Sequence, residues 1–137
     1  PMPTATRTMR AHQSARNRDF LRACRRIIDR ADPSTPLTIK EVAAAAAASP
    51  APEFYLSYEY ALRIISSPEP KRQCATAGAV IRRRRELLAR LDAMLAANPG
   101  MDRRDALVRV LESPASSFFI SPETGRRIIS AHARRPR

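Results

Sequence analysis

The side chains of this sequence best suited to chemistry are its arginines. There are 23, against two lysines (Lys40 and Lys71), and the formal net charge is +12. A guanidinium stays charged at any physiological pH and offers a planar fork of donors that fits two oxygens of one phosphate. Arg82, Arg83, Arg84 and Arg85 stand in succession, Arg126 and Arg127 form a pair, and Arg134 and Arg135 follow on a last stretch that also holds Arg137. Arg63 and Arg127 lie 64 residues apart at equivalent places in a repeat. Such a pattern points first to a polyanion, and these nine residues from Arg63 to Arg135 are its candidate contacts. The accompanying richness in Ala and Pro is also what a GC-rich genome produces, so part of the arginine excess has a bland explanation.

Other chemistry has little to work with. The two histidines, His12 and His132, fall in the expected tails, where a general base is not held in place. Cys24 and Cys74 lack the number and spacing of a disulfide framework or a zinc site, and Cys24 sits on an apolar helical stripe. Three glycines form no phosphate loop, and no nucleophile motif is present. Glu59 and Glu123 recur, but an acid in the first turn of a helix is already favoured by the helix dipole. The expectation is a protein that is not an enzyme, with no cofactor and no metal.

The elements that position these arginines are helical and repeated. SPAPEFYLSYEYALRIIS (49–66) and SPASSFFISPETGRRIIS (113–130) agree at ten of eighteen positions without a gap. Upstream, Phe20, Leu21, Cys24, Ile27 and Ile28 trace one amphipathic stripe, and Leu87, Leu88, Leu91, Met94 and Leu95 repeat it 67 residues later. Thr38 to Glu41 reads as a capping box that opens an Ala-rich helix, matched by a start at Asp102. Ser57 and Ser121-Pro122 read as further N-caps. Six of the seven aromatic residues fall in 54–60 or 118–119, and these are expected to set the angle between the second and third helices of each copy.

These signals predict an all-α protein of two tandem three-helix, helix-turn-helix-like repeats packed together. The expected parts are a basic arm (1–15), repeat one (16–66), a linker (67–80), repeat two (81–130) and a basic tail (131–137). The last residues of that linker, from about Ala75, are read as an N-terminal extension of the first helix of repeat two. Pro1-Met2-Pro3 reads as a start whose initiator Met has been removed. No stretch reaches the ~18 apolar residues of a membrane span, and a cytoplasmic location is expected.

The shared string runs from Phe54-Tyr55-Leu56-Ser57 through Glu59 to Arg63-Ile64-Ile65, and from Phe118-Phe119-Ile120-Ser121 through Glu123 to Arg127-Ile128-Ile129. It resembles a phrase in short uncharacterised proteins of anaerobic gut bacteria and their mobile elements. The resemblance implies a bacterial or phage origin and carries no activity. Tyr58 and Tyr60, which face Pro122 and Thr124 in the other copy, depart from it.

Charge placement refines the expectation. Residues 37–66 carry a net −1 and 101–130 a net +1, whereas 1–30 carry +6 and 81–90 carry +4. Phosphates are then gripped by arms and long-helix faces more than by the third helices. The expected function is nucleic-acid binding, DNA ahead of RNA, by a small accessory or regulatory protein acting as a monomer with internal pseudo-symmetry. The alternative is a protein-interaction or assembly component, phage- or ribosome-associated, whose Arg-rich tails order on a partner. Arg63 and Arg127 suit either a phosphate or a capping role, Arg82 to Arg85 either phosphates or a solvated face, and Tyr58 and Tyr60 either base stacking or packing.

Overall fold

A computed structural model describes residues 7–71 and 77–134. Within them lie six helices and no strand: α1 (Met9–Arg30), α2 (Ile39–Ala47), α3 (Tyr58–Ser66), α4 (Ala77–Ala97), α5 (Arg103–Leu111) and α6 (Pro122–Ala133). The protein is all-α. The local signals act as read: the Thr38 hydroxyl accepts from the Glu41 amide and the Glu41 carboxylate from the Thr38 amide, both at 3.1 Å. Ser57 and Ser121 accept from the amides of Tyr60 and Thr124, each at 3.1 Å. Asp102 occupies the N-cap of α5 without a side-chain bond.

The N-terminal arm is shorter than expected. Thr8 caps α1, so helix replaces arm from Met9 onward and Ala15 is buried, and α6 continues to Ala133, inside the expected tail, so that His12 and His132 both sit on helices. Residues 9–15 lack a regular stripe because most of them are exposed, with Ala15 alone among them buried. Residues 77–80, expected both as linker and as an extension of the next helix, are helical. Cys74 lies outside the described residues.

Packing does not follow chain order. α1 and α2 pack on each other and on α6, while α4 and α5 pack on each other and on α3. Among the described residues α2 does not pack on α3, nor α5 on α6, so the second and third helices of each copy do not form the packed pair of a helix-turn-helix. Each third helix instead completes the group formed by the other copy's first two.

The segments that cross between the groups meet at the centre. Ala51 and Ala115, 64 apart, exchange backbone hydrogen bonds of 3.0 and 2.9 Å. Beside them Phe54 stacks on Phe119 (centroids 6.0 Å, planes at 10°) and Tyr55 on Phe118 (6.2 Å, 9°). Swapping the two copies turns one pair into the other. Tyr55 and Phe119 both take positive φ, 58° and 54°, a conformation that costs on the order of 1–3 kcal/mol in a non-glycine residue. Their rings are held in the shared core, which keeps the backbone there. The aromatic residues thus join the two copies to each other, a correction to the expectation that they set an angle within each.

Around this centre Phe20, Leu87, Leu91, Leu107 and Val110 are fully buried. The buried carboxylate of Asp19 accepts from the Tyr55 hydroxyl at 2.6 Å and is flanked by Arg18 at 3.3 Å and Arg22 at 3.6 Å. Burial first, then the bond to Asp19, pushes the Tyr55 hydroxyl far above its ordinary range, so it acts as a permanent donor.

Candidate functional site

Following α4 from Arg82 to Arg85 turns the helix through most of a revolution, and the four side chains separate accordingly. Arg82 and Arg85 are exposed and line one shallow groove with Ser116, Ser117 and Pro122 at the entry to α6. Arg85 makes a two-pronged bond to Glu69 at 2.7 and 3.1 Å, which raises its already high pKa. Arg84 donates from Nε and Nη2 to the Ser67 carbonyl at 3.2 and 2.9 Å, closing the C-terminal end of α3 beside Arg63. Arg83 is half-buried and turns toward a half-open cavity. The run is therefore three environments rather than one face.

The remaining candidates lie on or near the third helices. Arg63 on α3 and Arg126 and Arg127 on α6 are exposed. Among the described residues neither the Arg63 nor the Arg127 guanidinium bonds a carbonyl or a carboxylate. Arg134 donates to the Ser130 carbonyl at 3.3 Å, and Arg135 lies outside the described residues. On α1, Arg25, Arg26 and Arg30 are exposed and also without an ion-pair partner there. Two arginines outside the candidate set have packing roles: Arg90 lies over the Phe54 ring at 5.5 Å and Arg104 over Tyr58 at 4.9 Å. One face of Tyr58 is therefore covered, and Tyr60 lines the cavity that holds Arg83.

That cavity measures about 130 Å³ and is walled by Phe54, Tyr55, Phe118 and Phe119. Arg83 shares it with Arg16, its equivalent 67 residues earlier. Burial lowers the pKa of both guanidiniums, and for Arg16 the nearby charge of Arg83 lowers it further. Sequence reasoning passed over Arg16, although the repeat offset paired it with a residue already singled out.

A second concavity is larger and open. It measures about 1030 Å³ between α1, the α1–α2 loop and α6, with Leu21, Ile28, Leu37, Ile39, Val42 and Ile129 on its walls and Arg22, Arg25 and Arg26 along its rim. Ile28 and Ile39 are 55% and 57% exposed there, far more than isolated core-type residues need be. Among the described residues no group of three or more His, Cys, Asp or Glu is placed to hold a metal, and no helix is long and apolar enough to cross a membrane. In comparisons with known proteins the chain matches no family model, no curated protein and no solved structure.

Proposed function

We propose that this protein binds nucleic acid through phosphate contacts, as a small bacterial or phage accessory protein of the cytoplasm. The observation that carries the reading is the set of exposed arginines, Arg25, Arg26, Arg30, Arg63, Arg82, Arg126 and Arg127, that have no ion-pair partner among the described residues. On a chain of net charge +12, such groups attract a polyanion and release its counterions on contact. Of these, only Arg63 and Arg127 are equivalent across the two copies; Arg25, Arg26 and Arg30 stand where the other copy has Asp92, Ala93 and Ala97, so the cationic surface is concentrated on one side of the repeat rather than duplicated by it. Duplex DNA, which repeats along its axis, is the first partner to test. Because α3 and α6 are each packed against the other copy's helices, the contacts fall on exposed helix faces rather than on a protruding reading helix.

Fluorescence anisotropy with duplex DNA and structured RNA, at about 50 and 200 mM salt, tests the proposal. Affinity is expected to fall with a log-log slope of about −0.9 per phosphate contacted. The triple variant Arg25→Gln/Arg26→Gln/Arg30→Gln should lower both affinity and slope. A flat salt response, or no binding to either polymer at low salt, overturns it.

The open groove between α1 and α6 favours a second reading, a protein partner that covers Ile28, Leu37 and Ile39. A partner of that kind would lose affinity on Ile39→Ala, a neutral change that trims the apolar wall and leaves the charges of Arg25 and Arg26 on the rim in place, so phosphate binding should persist.

A further inference from the structure

Two buried side-chain polar atoms lack a hydrogen-bond partner among the described residues, His12 Nδ1 and Arg83 Nε, and both side chains line the cavity walled by the central aromatics. A buried polar atom without a partner is costly, about 1–3 kcal/mol and more for a charged group, so two in one small space call for an explanation. Arg16 lies in the same cavity with its Nε and Nη2 bonded to Asn17 at 3.2 and 3.0 Å, which leaves its other terminal nitrogen unengaged. Tyr60 places its hydroxyl where it stabilises the Arg83 charge, and Ser57 and Tyr60 bring the N-terminal turn of α3 to the wall. That turn adds the partial positive charge of a helix start.

The lining contains no carboxylate. Glu53 is engaged by Arg7 at 2.8 Å, and Asp19 by Tyr55, Arg18 and Arg22. Two half-buried, mutually repelling guanidiniums therefore share the cavity with no carboxylate in its lining, an arrangement that an anion would relieve. Its volume of about 130 Å³ equals that of about four waters of liquid, room for a phosphate-sized group and too little for a drug-sized ligand. The donors come from α1 on one side and from α3 and α4 on the other. A tetrahedral oxyanion presents oxygens in all those directions, whereas a planar carboxylate presents two.

We infer that the cavity between Arg16 and Arg83 is a binding site for a phosphate dianion, free or as the terminal group of a small phosphomonoester, with His12 and Tyr60 as further ligands. The site is separate from the exposed arginines assigned to nucleic acid. It lies where the two copies meet, so an occupant would tie α1 to α4 and add to the stability of the interlocked fold.

Isothermal titration calorimetry of the full chain with inorganic phosphate, in phosphate-free buffer at ionic strength held constant with chloride, tests this. One saturable site is expected, with a rise in the thermal unfolding midpoint that follows its occupancy. Arg83→Met and Arg16→Met should each weaken binding at least tenfold, whereas Lys40→Gln, which removes an exposed charge outside the lining, should not. Because Arg83→Met removes an unpaired charge, it should fold at least as stably as wild type without phosphate, and its midpoint should not respond to phosphate. Dimethyl phosphate, a stand-in for the nucleic-acid backbone, should compete poorly. No saturable site, equal binding by wild type and Arg83→Met, or equal competition by dimethyl phosphate would each overturn the assignment. Nucleic-acid binding retained by Arg83→Met would show the two sites to be independent.

Discussion

The two groups of helices solve one packing problem with different residues. In the group built by α1, α2 and α6, Phe20 is fully buried and faces Gly125, where an added Cβ would lie 2.8 Å from the ring's Cζ. The equivalent residues in the other group are Leu87 and Ala61, both fully buried. A larger side chain on the long helix is matched by a smaller one on the third helix, and the reverse holds in the other group. This compensation links α1 to α6 and α4 to α3, the exchanged partners, and not the neighbours in sequence. Polar groups differ in parallel: Asp19 is satisfied by the Tyr55 hydroxyl, whereas its equivalent Glu86 accepts from the amide and hydroxyl of Ser116.

The largest effect expected from breaking this comparison comes from its shared centre. Phe118→Ala removes the edge contact with Phe20 (5.8 Å, 87°) and the stack on Tyr55, and should cost about 3–5 kcal/mol in urea unfolding. Next is Tyr55→Phe, which keeps the ring but removes the donor to a buried carboxylate. A cost of about 1.5–3 kcal/mol is expected, with little gain from the reciprocal Phe119→Tyr. Gly125→Ala sets a helix-propensity gain of about 1 kcal/mol against overpacking of about 1–3 kcal/mol. It should destabilise alone and become neutral or stabilising when combined with Phe20→Leu, so that a double-mutant cycle shows strong coupling. The smallest is chemical: Cys24, which stands where the other copy has Leu91, has its thiol pushed up to about 11 by burial. At pH 8 the thiolate is then about one part in a thousand. Peptide mapping after iodoacetamide should find Cys24 unmodified in native protein and modified in urea.

Much of the fold was legible because it is locally encoded. Thr38 with Glu41, Ser57, and Ser121 with Pro122 fix helix starts through bonds to amides three residues away. The exchange was not legible, since Ile64-Ile65 and Ile128-Ile129 give the two third helices nearly the same apolar anchor, and periodicity cannot say which group each will join. What distinguishes them is specific contacts, the size match of Phe20 with Gly125 and the bonds of Arg84 to Ser67 and of Arg104 to the Tyr58 ring, which the sequence pattern does not display. For the site, the arginine excess was plain, but its division was not drawn from the stripe. Running that stripe back one turn from Leu87 reaches Arg83, and from Phe20 reaches Arg16, which marks both as inward-facing. The rest of the run could be placed only once α3 had been put beside α4.

Cutting the chain between Lys71 and Arg72 and recombining the halves tests the interlocked arrangement most directly. If each half lacks its own third-helix partner, residues 1–71 and 72–137 should each show weak helicity and no cooperative melt alone, and regain both as a one-to-one complex. Either half folding cooperatively as a monomer, with no change on mixing, would contradict the exchange and the account built on it.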